Sequence, residues 1–89
     1  MDVFPARIAT PAGVVFEGPV WQIRACNTCG SFAVRAHHAP FLTEMSAGTI
    51  EVAAAPDSRK RFAVSAGLLE FYRNTCRIVC EQAAVVRAG

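Results

Sequence analysis

The stretch VWQIRACNTCGSFAVRA, residues 20–36, decides the fold. It reads as two alternating runs joined by a short loop. Trp21, Ile23 and Ala25 point one way, and Gln22 and Arg24 the other; beyond the loop Phe32, Val34 and Ala36 oppose Ser31, Ala33 and Arg35. Side chains change sides at every residue only along an extended chain, so each run is a strand with one face toward a core. The loop between them, CNTCG, holds two cysteines at the spacing of a metal or thiol-redox site.

Outward from this pair the pattern repeats. GTIEVA sets Ile50 and Val52 against Thr49 and Glu51, and KRFAVSA sets Phe62 and Val64 against Arg61, Ala63 and Ser65. TCRIVCE puts Cys76, Ile78 and Cys80 on one face and Thr75, Arg77 and Val79 on the other. Between the runs stand Pro11-Ala12-Gly13, Glu17-Gly18-Pro19, His38-Ala39-Pro40, Ala47-Gly48, Pro56-Asp57-Ser58, Gly67 and Arg73-Asn74, all turn chemistry. No stretch of ten or more residues sustains a helical period. Short strands at roughly 8–12-residue spacing predict an all-β sandwich or barrel of antiparallel strands.

The chain of 89 residues is read as one domain, residues 1–89. A domain this small buries only about 60–65% of its unfolded surface, so its stability margin is thin. Apolar residues make up 53% and charged residues 18%, which predicts apolar surface left over for a partner. The net charge of +2 is too weak and scattered for nucleic acid. The one basic cluster, Ser58 to Arg61, follows Pro56-Asp57 and reads as a hairpin end. The start, MDVFPAR, lacks the form of a signal peptide, and no apolar run nears the ~20 residues that span a bilayer. A cytoplasmic protein without structural disulfides is expected.

A zinc ion holds sulfur at ~2.3 Å, so two ligands lie under about 4.6 Å apart. Cys76 and Cys80 sit on one strand, where four steps cover roughly 13 Å. They are expected to be small core residues flanking Ile78. Cys26 and Cys29 make half a zinc site, and a zinc or thiol-redox binding module using them is the alternative reading of the chain. His37 and His38 are adjacent, and adjacent side chains on an extended segment diverge. Neither a G-x-S-x-G elbow nor a phosphate-cradling G-x-x-x-x-G-K-[ST] loop is present, and Glu44, Glu51 and Glu70 lie in separate runs. A non-enzymatic binding module with no cofactor and no metal is expected.

From Arg7 to Val86 the chain resembles the N-terminal domain of the epsilon subunit of F-type ATP synthases, the delta subunit of mitochondria. IATPAGVVFEG is similar to that family's opening strand and turn, with Phe16 and Gly18 in place. In CGSFAVRAHHAPFLTEMSAGTIEV, Gly30, Phe32, Val34, His38, Ala39, Pro40, Leu42 and Gly48 match or nearly match its central run. FAVSAGLLEF and NTCRIVCEQA resemble its closing segments. The resemblance implies a flattened sandwich of two antiparallel five-stranded sheets, about ten short strands in all. It implies a non-catalytic central-stalk subunit of a proton- or sodium-translocating ATP synthase, held peripherally at the cytoplasmic face of the membrane. Carried over by position, Thr10, His38, Ala39, Pro40, Phe41, Leu42 and Thr43 would meet the gamma subunit. Cys26, Asn27, Thr28, Cys29, Gly30 and Ser31 would form the loop that faces the c-ring.

The departures fall on glycines. The family's Gly-[IV]-x-Pro-Gly is here Ala33-Val34-Arg35-Ala36-His37, its first loop glycine is Asn27, and its Ser-Gly-Gly is Ser65-Ala66-Gly67. Losing residues that permit positive φ predicts a different loop shape around residues 35–37. The family's two-helix C-terminal extension has no counterpart in this sequence.

Overall fold

A computed structural model describes residues 2–86. Ten strands follow one another: β1 (Phe4–Thr10), β2 (Gly13–Val20), β3 (Gln22–Asn27), β4 (Gly30–Arg35), β5 (Phe41–Met45), β6 (Gly48–Ala55), β7 (Ser58–Val64), β8 (Gly67–Tyr72), β9 (Thr75–Cys80) and β10 (Ala83–Val86). They form two five-stranded sheets, the first in the order β2-β1-β9-β8-β5 and the second in the order β10-β7-β6-β3-β4. The predicted all-β sandwich of two five-stranded sheets is therefore found, with one departure from antiparallel pairing. One seam, β1 with β9, is parallel. Within the first sheet β5 and β9 both run antiparallel to β8, and β1 runs with β9. The body measures 29 × 29 × 26 Å.

The alternation seen in the sequence becomes the core. Ile23, Ala25, Val34, Ile50, Val52, Phe62 and Val64 of the second sheet face Phe4, Ala6, Ile8, Leu69, Phe71, Cys76 and Ile78 of the first. Each large side chain so buried stabilises the fold by about 1.5–3 kcal/mol. Phe4 meets Phe71 edge-on at 5.5 Å, and Phe16 meets Phe62 at 5.8 Å. Cys76 and Cys80 are buried and flank Ile78, as their strand predicted.

Trp21 departs from the pattern. It is the bend between β2 and β3, where the chain changes sheets, and it is only half buried. Gln22 was read as outward-facing yet is buried, because the Arg35 guanidinium lies over the Trp21 ring at 3.9 Å and its Nε donates to Gln22 Oε1 at 2.8 Å. The hairpin β8–β9 turns on Arg73 and Asn74, both at positive φ, 51° and 58°. That backbone twist matches the twist of the flanking strands.

At Ser65-Ala66-Gly67 the sequence gives up the first glycine of the pair and keeps the second, and it is the kept Gly67 that sits where a side chain cannot fit. A Cβ there would collide with the Val79 carbonyl oxygen and lie 2.9 Å from the Cys80 Cβ. Ala66 is exposed. Gly67→Ala is expected to cost about 2 kcal/mol through this overlap, and Ala66→Gly less than half of that. Urea unfolding of the two variants beside the parent measures the difference; equal midpoints would contradict the packing argument.

Candidate functional site

The expected contact residues fall into three places. Thr10 closes β1, where its Oγ1 accepts from the Ala12 amide at 3.2 Å and fixes the turn into β2. It borders an open groove of about 400 Å3 together with Gly67, Leu68, Val79 and Cys80. Phe41, Leu42 and Thr43 lie on β5, the far edge of the same sheet, three strand spacings or roughly 14 Å away. His38, Ala39 and Pro40 lie in the β4–β5 connection at the diagonally opposite corner, since Phe41 is level with Phe71, Cys76 and Ala6 rather than with Thr10. Of the β5 residues only Leu42 turns outward, since Phe41 and Thr43 lie opposite the buried Phe71 and Leu69, so the predicted set is spread around the sheet rather than gathered into one spot.

What joins the corners is a row that the sequence reading did not single out. Val14, Ala9, Val79 and Leu68 stand side by side in register on β2, β1, β9 and β8. All point away from the core, and Val14, Val79 and Leu68 are 46%, 50% and 43% exposed. On the neighbouring row Leu42, 65% exposed, is followed by Glu70, Arg77, Arg7 and Glu17. An apolar strip across four strands, closed at β5 by Glu44, beside a strip of mixed charges is the pattern of a protein-docking surface. The only hint in the sequence was Val79 and Leu68 at positions where alternation called for polar residues.

His37 and His38 engage different partners. The His37 ring meets the Asp2 carboxylate at 3.0 Å, with both groups exposed. The His38 ring rests on Phe41 at 4.8 Å and its Nδ1–H donates to the Ala39 carbonyl at 2.7 Å. His37 bears on the loop where the sequence lacks the family's glycines. It takes φ 67°, a conformation that favours glycine, although the glycine is gone. Its amide donates to Asn74 Oδ1 at 2.7 Å, which ties this loop to the β8–β9 turn and offsets the strain.

The loop CNTCG is a tight hairpin turn. Asn27 pairs with Gly30, which has φ 125°, and Asn27 Oδ1 accepts from the Cys29 amide at 2.9 Å. Asparagine thus shapes the turn with its side chain where the resembling family has glycine. Asn27 Nδ2 also donates to Thr43 Oγ1 at 3.2 Å, and the Ser46 amide donates to the Cys26 carbonyl at 2.9 Å. These bonds dock the hairpin on β5, so the two expected contact regions adjoin. Thr28, Cys29, Gly30 and Ser31 are exposed beside them, as is Cys26. Among the described residues no three of the His, Cys, Asp and Glu side chains come together as metal ligands. The two thiols therefore gain no third ligand from this chain's described residues.

Known proteins agree with this architecture. The model of the family described as ATP synthase, delta/epsilon chain, beta-sandwich domain matches residues 3–86. An ATP synthase epsilon chain of Endomicrobium trichonymphae is 32% identical over 84 residues, 94% of this chain and 60% of that one. One of Hyphomonas neptunium is 33% identical over 82 residues, 92% of this chain and 61% of that one. The chain thus spans about 60% of the length of these relatives. Among solved structures, a chain from the mitochondrial ATP synthase of Euglena gracilis, in an OSCP/F1/c-ring assembly, superposes with a TM-score of 0.87 at 16% identity, covering 93% of this chain and 53% of that one. A chain from the central stalk and c-ring of the Tetrahymena thermophila enzyme gives 0.77 at 17% identity, covering 90% and 64%. At such identities the likeness is one of fold.

The cysteines divide sharply in chemistry. Burial pushes the Cys76 thiol up from 9.0 to about 12, and burial also raises Cys80. In the native chain Cys26 and Cys29 are expected to react with a thiol reagent at the rate of free thiols, and Cys76 only on unfolding. The folded state keeps the Cys76 proton where the unfolded chain has lost it. Its contribution is therefore full below about pH 9 and is lost as pH rises toward 12, at about 1.4 kcal/mol per unit. Stability measured against pH should fall less steeply above pH 9 in Cys76→Ala than in the parent; parallel slopes would contradict the burial.

Proposed function

This chain belongs to the ATP synthase delta/epsilon β-sandwich family, and from that premise we propose that it is a non-catalytic central-stalk subunit that grips gamma and meets the c-ring. It passes torque between ion flow through the membrane and nucleotide chemistry carried out on other subunits. Its place is peripheral, at the cytoplasmic face, held there through the complex.

The apolar row of Val14, Ala9, Val79 and Leu68 carries the reading. Roughly 14 Å of exposed aliphatic surface across one sheet is costly to leave in water and favourable to cover. In the proposal the outer face of the first sheet lies on gamma, with Thr10 and its groove at one corner and residues 38–43 along the β5 side. The charged row of Glu70, Arg77, Arg7 and Glu17 sets the register of the contact, because mispaired like charges penalise every other alignment. The hairpin of residues 26–31 turns toward the c-ring. Its bond from Asn27 to Thr43 makes the ring-facing loop and the gamma-facing strand one mechanical unit, so force on one is borne by the other.

Calorimetric titration of the intact chain with its cognate gamma subunit tests this. One-to-one binding is expected, weakened at least about tenfold by Leu68→Asp or Val79→Asp, a loss of about 1.4 kcal/mol or more per substitution. Both side chains are surface residues, so the unfolding free energy from urea titration should stay within about 0.5 kcal/mol of the parent. Unchanged affinity in both variants would overturn the assignment of this face.

A further inference from the structure

With gamma on the first sheet, the outer face of the second sheet is left without an occupant, and its charge is not neutral. Strand register gathers Arg24 of β3, Arg35 of β4, and Arg59 and Arg61 of β7 on this face, against the single carboxylate of Glu51 on β6. The opposite face instead balances Arg7 and Arg77 against Glu17, Glu44 and Glu70. The chain's small net charge of +2 hides this segregation.

We propose that the outer face of the second sheet docks an acidic protein segment, one carboxylate of which enters the hollow between Arg24 and Arg61. Arg24, Glu51 and Arg61 are direct cross-strand neighbours, so the three charges lie within about 10 Å. Arg59 Nη1 meets Glu51 at 2.6 Å and Arg61 Nε approaches its other oxygen at 3.8 Å. Arg24 forms no ion pair among the described residues. Three guanidinium groups around one carboxylate form a lattice lacking anions, and the seat of Glu51 shows that its spacing accepts carboxylate oxygens.

A hollow of about 310 Å3 opens at this point; besides Arg24 and Arg61 it is lined by Thr49, whose hydroxyl is a further donor, and Cys26 and Ser31 form the rim it shares with the ring-facing hairpin. Arg35 adds a fourth positive group, held in place by Trp21 and Gln22. The fit favours a protein segment over an anionic membrane. The floor is a sheet with Glu51 at its centre, which repels a dense field of phosphates, and Val86 is the large aliphatic side chain exposed on this face. An acidic segment places its carboxylates one at a time beside the unpaired guanidinium groups.

The intact chain is titrated with a fluorescent peptide of alternating Glu and Gly, at low and at physiological salt, and in parallel with phosphatidylglycerol vesicles. Salt-sensitive peptide binding is expected, weakened at least about tenfold by Arg24→Glu and by Arg61→Glu and unchanged by Arg77→Glu on the opposite face. Arg24→Gln, which removes the charge without reversing it, should fall between. Affinity for gamma should not change in Arg24→Glu, so failure here and failure of the gamma assignment are separable. No peptide binding by the parent, equal loss in Arg77→Glu, or binding to vesicles in place of the peptide would each overturn the proposal.

Discussion

The parallel seam between β1 and β9 holds the first sheet together. Ala6, Arg7, Ile8 and Ala9 lie beside Cys76, Arg77, Ile78 and Val79, joining the hairpin β1–β2 to the meander of β9, β8 and β5. On the inner side this contact stacks Ile8 on Ile78, both sealed from water. On the outer side it abuts Ala9 with Val79 and Arg7 with Arg77, and so makes one face of what would be two. Without it there would be neither a closed core nor a continuous apolar row. A seam between residues some seventy positions apart is also a costly loop to close, which places its formation late in folding.

A sandwich gives a small chain two independent outer faces for the cost of one core. Here the two are chemically distinct, one apolar with balanced charge and the other rich in arginine. The tight turns at the sheet ends fix the faces relative to each other. The bond between Asn27 and Thr43 and the bond from the Ser46 amide to the Cys26 carbonyl tie the second sheet to the edge of the first. Under the proposed stalk role, that stiffness matters more than a reactive group.

The sequence showed the strands whose two faces differ in polarity. GTIEVA, KRFAVSA and TCRIVCE could be read by eye, and with them the burial of Cys76 and Cys80. Strands such as AAVV at β10 carry no contrast between their faces, and the family resemblance implied only a total of about ten strands without placing this one. Pairing was invisible for a different reason: period two says which side a residue faces but not which strand lies beside it. The apolar row and the arginine face both arise from pairing, and both were missed. At His37 a residue other than glycine takes a positive φ, and the bond from its amide to Asn74, remote in sequence, holds it there.

The central claim is that gamma covers the outer face of the first sheet. Hydroxyl-radical footprinting of the chain, free and bound to gamma, reads side-chain exposure on both faces in one experiment. Leu42, Leu68 and Val79 should lose reactivity on binding while Trp21 and Val86 keep theirs. Protection of Trp21 and Val86 with Leu68 and Val79 unchanged would place gamma on the other sheet and contradict the account.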